Sequence, residues 1–150
     1  MLRSLQAYKE NDWVVFISHS GTDACVARKI ADEVNACGAV SFLDEADIDI
    51  GEDFEEYILS ALDNAKELVV LLTPWSLKRP YVWAEIGAAW GRRIPIIGIL
   101  HGITAADLQA DTSVPVILKR RNLISLNEVD EYLAELKERV ALRSIQGERK

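Results

Sequence analysis

The stretch Leu68-Val69-Val70-Leu71-Leu72-Thr73-Pro74-Trp75-Ser76-Leu77-Lys78-Arg79-Pro80-Tyr81-Val82-Trp83-Ala84-Glu85-Ile86-Gly87-Ala88-Ala89-Trp90 decides the fold. Leu68 to Leu72 is apolar without alternation, as in a strand covered on both faces. Polar and turn residues follow, and a helix begins near Pro80, a residue suited to a first helical turn. A lone acid, Glu85, stands one turn inside that helix among apolar neighbours. A carboxylate there costs desolvation energy unless something pairs with it. Tyr81 lies four residues earlier on the same helical face. An aromatic and a carboxylate side by side, beyond the end of a buried strand, suit a sugar or nucleotide. The alternative is an amphipathic helix with one boundary acid.

Working outward, the same punctuation recurs. Apolar runs occur at Trp13 to Ile17, Val40 to Leu43, Leu68 to Leu72, Ile94 to Leu100 and Leu123 to Leu126. Helical stripes lie between them: Val26, Ile30, Val34 and Cys37; Phe54, Ile58, Ala61, Leu62 and Ala65; the Tyr81 to Arg92 helix; a short one over Thr104 to Gln109; and Val129, Tyr132, Leu133, Leu136 and Val140. Ser20 to Asp23, Thr104 to Asp107 and Asn127 to Asp130 have the spacing of capping boxes, with Asp in place of Glu. Gly38 stands at a helix stop, and Ile145 to Lys150 reads as a frayed tail. Strand and helix alternation implies βαβ units. The expectation is an α/β fold of flavodoxin-like type, a five-stranded parallel sheet of order 2-1-3-4-5 with helices on both faces. Ligands in such sheets bind beyond the carboxyl ends of the strands where the order reverses. That point lies between the first and third strands, at Ser18-His19-Ser20 and Thr73-Pro74-Trp75-Ser76, with Glu85 adjoining.

The 150 residues suit one domain, with a core spanning about residues 13 to 140, and the 49% apolar content suffices to build it. A net charge of -7 tells against a general nucleic-acid surface. Arg92-Arg93 and Lys119-Arg120-Arg121 read as solvated charges. Cys25 and Cys37, without CxxC spacing, read as small buried apolar side chains in a reducing compartment. His19 and His101 lack the spacing of a metal site. No signal peptide is visible, and no apolar run approaches a membrane span, so a cytoplasmic protein is expected.

The turn Ser18 to Thr22 leads from strand to helix. Free amides and hydroxyls there can bind a phosphate, or Ser20 only caps the helix and His19 is exposed. Asp44 to Glu56 holds eight acids and no base. An EF-hand beginning at Glu45 needs glycine at position 50, where Ile50 stands, so a calcium loop fails on register. A long surface loop running into an acidic first helical turn fits better. A phospho-receiver also fails, since strand three ends in Thr73-Pro74 and strand one in Ser18-His19-Ser20 rather than in acids. No GxSxG elbow is present.

Together these segments resemble the TIR (Toll/interleukin-1 receptor) domain family, particularly its bacterial stand-alone members. Trp13-Val14-Val15-Phe16-Ile17-Ser18-His19-Ser20 is similar to the family's first box. Asp44 through Gly51-Glu52-Asp53 is similar to its BB loop. Leu71 to Ser76 and Tyr81 to Trp90 are similar to its third-strand and third-helix segment. The resemblance spans Trp13 to about Val140. It implies either an adaptor working through TIR–TIR contacts or an enzyme that cleaves NAD at the nicotinamide–ribose bond. The enzymes carry a third-helix glutamate, often as WxxxE, which falls here on Glu85, with Tyr81 replacing tryptophan. His19 and Ser20 stand where some family enzymes have arginines, which tells against a charge-based phosphate grip. The implied site is Glu85 as catalytic residue, with Ser18, His19, Ser20, Asp44, Ser76 and Tyr81 lining the substrate.

On that resemblance, NAD is substrate rather than cofactor, and no metal or other cofactor is required. Products would be nicotinamide with ADP-ribose or a cyclic ADP-ribose-type signal, in bacterial anti-phage defence. Implied partners are other copies of the domain and a separate effector that senses the product, with no nucleic acid and no membrane. A non-enzymatic TIR–TIR interaction module and a nucleoside deoxyribosyltransferase-like glycosyl transferase stand as alternatives.

Overall fold

The computed structural model describes residue 9 and residues 11–43, 54–114 and 122–148. Asp44, most of the acidic loop and Lys119-Arg120-Arg121 lie outside the described residues. Five strands form one sheet: β1 (Val14–Ser18), β2 (Val40–Leu43), β3 (Ala65–Leu72), β4 (Ile96–Leu100) and β5 (Asn122–Ser125). Their order is β2-β1-β3-β4-β5, and all four pairings are parallel. Phe16 stands beside Phe42 on one side and Leu68 on the other, and Ser18 beside Val70. The expected flavodoxin-like architecture is the observed one.

The helices are α1 (Ala24–Ala36), α2 (Phe54–Asp63), α3 (Pro80–Gly91), α4 (Ala105–Ala110) and α5 (Val129–Glu148). Strand residues alternate between two cores, as the two-residue period of a strand demands. Phe16, Leu68, Val70 and Leu72 pack with Leu62 of α2 and with Val82, Ile86 and Ala89 of α3. Val15, Ile17, Val69, Leu71 and Ile99 pack with α1 and α5 on the other face. Covering both faces explains why β1, β4 and almost all of β3 are buried throughout and read as unbroken apolar runs.

Several local expectations shift. Ala65 begins β3 instead of closing the α2 stripe; the side chains of Phe54 and Ile58 lie outside the described set. The buried stripe of α1 is Ala27, Ile30, Ala31 and Val34, because two alanines let the helix lie close to the sheet, with Val26 and Cys37 at its margins. That rotation leaves Cys25 exposed, contrary to the buried reading, while Cys37 is partly covered; both thiols are free. Helix α5 continues through Glu148, so Ile145 is helical rather than frayed. Gly38 does sit at the end of α1, with φ +90, a conformation that L side chains resist. Among the described residues, no helix is long and apolar enough to cross a membrane.

The Thr104 capping box is present: Thr104 Oγ1 accepts from the Asp107 amide at 3.1 Å, and Asp107 accepts from the Thr104 amide at 3.0 Å. The cap before α5 is Ser125 rather than Asn127, because a 3-10 turn, Leu126–Glu128, precedes the helix and the Asn127 amide donates to Ser125 Oγ at 3.2 Å. Ser20 makes no side-chain cap at all.

Candidate functional site

Strand order reverses between β1 and β3, so their carboxyl ends, at Ser18 and Leu72, mark the place where sheets of this order bind ligands. Burial of polar groups is concentrated there. Of the eight buried polar or charged residues among those described, seven belong to this end: Ser18, His19, Ser20, Asp23, Thr73, Ser76 and Glu85. Buried polar groups are costly unless they bond or serve a ligand, so such clustering makes this end the candidate site.

A chain of hydrogen bonds ties the two strand ends together. Ser20 Oγ donates to Asp23 Oδ2 at 2.7 Å, and Thr73 Oγ1 donates to the same oxygen at 2.6 Å. The Thr73 amide donates to Ser76 Oγ at 2.9 Å, and the Ser76 amide donates to Thr73 Oγ1 at 3.0 Å. This reciprocal pair shapes the 3-10 turn Ser76–Lys78 that delivers the chain to Pro80 at the start of α3. Trp83 Nε1 donates back to the Leu77 carbonyl at 2.9 Å and anchors the helix on that turn. Tyr81 closes the circuit by donating its hydroxyl to the His19 carbonyl at 3.1 Å.

Helix α3 buries Val82, Glu85, Ile86 and Ala89, spaced three and four apart, against the sheet. Glu85 is thus the charged member of a core-facing stripe and is only 1% exposed. Ser18 follows Phe16 in strand alternation, so it lies on the same face of the sheet as α3. Ser18 Oγ and His19 Nε2 are buried without a hydrogen-bond partner among the described residues. His19 Nδ1 lies 2.8 Å from the Ser20 carbonyl, which can only accept, so Nδ1 carries the proton. In the neutral ring Nε2 is then an acceptor with no hydrogen-bond partner among the described residues.

The structure therefore brings Ser18, His19, Ser20, Ser76, Tyr81 and Glu85 to one end of the sheet, while Asp44 lies outside the described residues. His19 is buried, against the exposed alternative. Ser20 donates its hydroxyl to the Asp23 carboxylate, a strong charged acceptor, and makes no side-chain cap to a backbone amide. Thr73 was placed at this end by the sequence, whereas Asp23, which joins it to Ser20, was not. Its signal was present as an acid three residues after Ser20, but it read as capping chemistry.

The eighth buried polar residue, Glu67, sits at the opposite end of β3. It accepts from Trp13 Nε1 at 2.5 Å, Tyr132 Oη at 3.2 Å, and Arg139 through Nε at 3.2 Å and Nη2 at 2.7 Å. A cavity of about 590 Å³ borders this cluster, at the amino ends of β3, β4 and β5. Burial, followed by the Glu67 carboxylate, pushes the Tyr132 hydroxyl far above its ordinary value. Every lone pair of Glu67 that faces a donor is used, so this carboxylate holds α5 to the sheet.

Residues 15–140 match the family model described as TIR domain. No curated protein sequence is significantly similar to the chain. Among solved structures, a metazoan TIR-STING receptor from C. gigas in complex with 2',3'-cGAMP superposes with a TM-score of 0.65 at 20% identity, over 87% of this chain and 41% of the receptor. The TIR domain of the Toll-related receptor TRR-2 from Hydra magnipapillata gives 0.58 at 21% identity, over 88% and 97%. The TIR domains of the activated Roq1 resistosome, which recognises the pathogen effector XopQ, give 0.56 at 13% identity, over 88% and 83%. The chain thus spans about two fifths of the C. gigas receptor and nearly all of the Hydra domain. At these identities the superpositions speak for the fold, and the match over residues 15–140 carries the assignment: the chain belongs to the TIR domain family.

Proposed function

We propose that this TIR domain breaks the nicotinamide–ribose bond of NAD, with Glu85 as the catalytic carboxylate. The observation that carries the reading is the burial of Glu85 on the sheet-facing stripe of α3, beside the crevice where strand order reverses. Nicotinamide is a cationic leaving group. When the bond from C1′ to the ring nitrogen breaks, its electron pair neutralises the ring, and positive charge grows on the ribose. That transition state resembles the oxocarbenium ion of glycoside hydrolysis. A fixed carboxylate beside the ribose stabilises the growing charge and accepts hydrogen bonds from the sugar hydroxyls. Water then adds at C1′ and releases a proton, giving ADP-ribose, or an adenine nitrogen of the same molecule adds, giving a cyclic product. Ser18, His19, Ser20, Ser76 and Tyr81 shape the bed on which the substrate lies. NAD is the substrate, and the chemistry asks for no metal or further cofactor.

Self-association completes the proposal. The Roq1 TIR domains belong to an activated resistosome, and copies of this domain would associate likewise through TIR–TIR contacts. A role in bacterial anti-phage defence, in the cytoplasm and with an effector that reads the product, is the biological setting in which such a signal would serve. The decisive experiment is incubation of concentrated protein with NAD and mass spectrometry of the products. Nicotinamide with ADP-ribose or an isomeric cyclic product is expected; intact NAD at high protein concentration would leave the interaction module as the reading of the fold.

A further inference from the structure

The polarity of the crevice is more informative than its outline. Phosphate oxygens only accept hydrogen bonds, so a phosphate subsite needs free donors. The side-chain donors at the carboxyl ends of β1 and β3 are nearly all consumed internally. The Ser20 and Thr73 hydroxyls donate to Asp23. His19 Nδ1 is held by the Ser20 carbonyl, Tyr81 Oη by the His19 carbonyl, and Ser76 Oγ donates to the Thr73 carbonyl at 3.3 Å. Ser18 Oγ is the exception. What remains among the side chains, Ser18 Oγ apart, is a set of acceptors: the lone pair of His19 Nε2, which is buried and unpartnered among the described residues, and the lone pairs of Ser20 Oγ. Two carboxylates, Asp23 and Glu85, are buried at the same end and oppose a phosphate further.

We infer that the turn Ser18 to Ser20 is a subsite for a ribose hydroxyl and not for the pyrophosphate, and that Asp23 is the positioning residue that sets its polarity by holding the Ser20 proton inward. The inference rests on the NAD reading above and assigns which part of the dinucleotide lies against β1. A ribose hydroxyl donates to His19 Nε2 or Ser20 Oγ while Ser18 Oγ donates to its oxygen. Both buried groups left without partners are satisfied by one diol.

The test uses phosphate-free probes. Nicotinamide riboside, its 2′-deoxy and 3′-deoxy analogues and inorganic pyrophosphate are titrated separately into the protein, with amide resonances followed by NMR before measurable turnover. The riboside should shift the amides of Ser18, His19 and Ser20, and at least one deoxy analogue should bind about tenfold more weakly, the size of one well-placed hydrogen bond to a buried group. Pyrophosphate at equal concentration should leave those amides in place. Asp23→Asn introduces a donor where only an acceptor stood, so discrimination between riboside and the weaker deoxy analogue should fall to about twofold or less, while affinity for that analogue is kept. A purely structural role for Asp23 would weaken all ribosides in parallel. Should Asp23→Asn fail to fold, Ser20→Ala reads the same ratio without removing the carboxylate. The inference is overturned by absent riboside binding, by equal binding of all three ribosides, by pyrophosphate shifting the turn amides, or by parallel loss in the variants. Riboside discrimination with intact NAD would retire the cleavage reading alone, whereas NAD cleavage without discrimination would retire this inference alone.

Discussion

Replacing Glu85 with glutamine separates catalysis from packing. The side chain is 1% exposed and shares its helix face with Val82, Ile86 and Ala89. Glutamine keeps its length, its volume and one acceptor oxygen, so the core sees almost the same shape. The change replaces a carboxylate covered by the core with a neutral amide of the same shape, which relieves its desolvation cost, so stability changes little or rises. The catalytic effect is of another order. Removing one preorganised electrostatic partner of a developing charge costs about 10²–10³-fold in rate, roughly 2.7–4 kcal/mol of transition-state stabilisation. Melting by circular dichroism and NAD consumption by chromatography, on the same preparations, read the two effects independently. The expected result is a near-native melt with cleavage reduced at least a hundredfold. A variant that melts like the parent and cleaves NAD at the parent rate refutes the catalytic role of Glu85.

Three further predictions bear on the rest of the molecule. Arg139→Met removes two of the four donors to buried Glu67; breaking a buried pair costs about 3–5 kcal/mol, and the one-third exposure of Arg139 places the loss at the low end, a fall of roughly 6–12 °C in melting temperature that adding Glu67→Gln should partly restore. Tyr132 has its hydroxyl pushed up by burial and then by Glu67, so unfolding releases its proton above pH ~10; its contribution to stability is complete below that pH and falls by about 1.4 kcal/mol per unit above it, a slope that alkaline denaturation of Tyr132→Phe should lack. Cleavage per molecule should rise with protein concentration if copies complete the site through the loop after β2, and a constant specific rate across a wide dilution series would contradict that.

The fold was legible because a two-sided parallel sheet leaves an unusually clear trace. Strands such as Leu68 to Leu72 must be apolar at every position, and the helices between them must each bury one stripe. The position of the crevice followed from topology, and Glu85 stood out as an acid amid apolar residues. Hydrogen-bond partners separated widely in sequence were not legible. Asp23 and Thr73 are 50 residues apart, and Glu67 and Arg139 are 72 apart; nothing local announces either pair. Ser20 misled because the same S-x-x-D spacing serves a cap and a carboxylate–hydroxyl bond, and only the arrival of Thr73 decides between them. Thr104 and Asp107, with no third partner at hand, form the expected box.

Glu67 and Glu85 show how a buried acid can be read when burial alone is ambiguous. Both sit beside apolar runs, and both are almost fully covered. Their difference lies in chain direction. Glu67 precedes the apolar run of β3, so it belongs to the amino end of the sheet, where Trp13, Tyr132 and Arg139 converge on it and use it to fasten α5. Glu85 lies in the helix that begins after β3 has ended. In a parallel sheet every strand runs the same way, so the helix following a strand starts at the end where ligands bind. The first turn of α3 therefore stands at that end, and Glu85, one turn further in, faces the sheet and is shielded from water. Shielding is what makes a charge effective against a developing cation, since the same carboxylate in solvent would be screened. A structural acid is best placed where donors from other elements already converge, as they do on Glu67, and the catalytic role proposed for Glu85 draws on its place beyond the carboxyl end of β3.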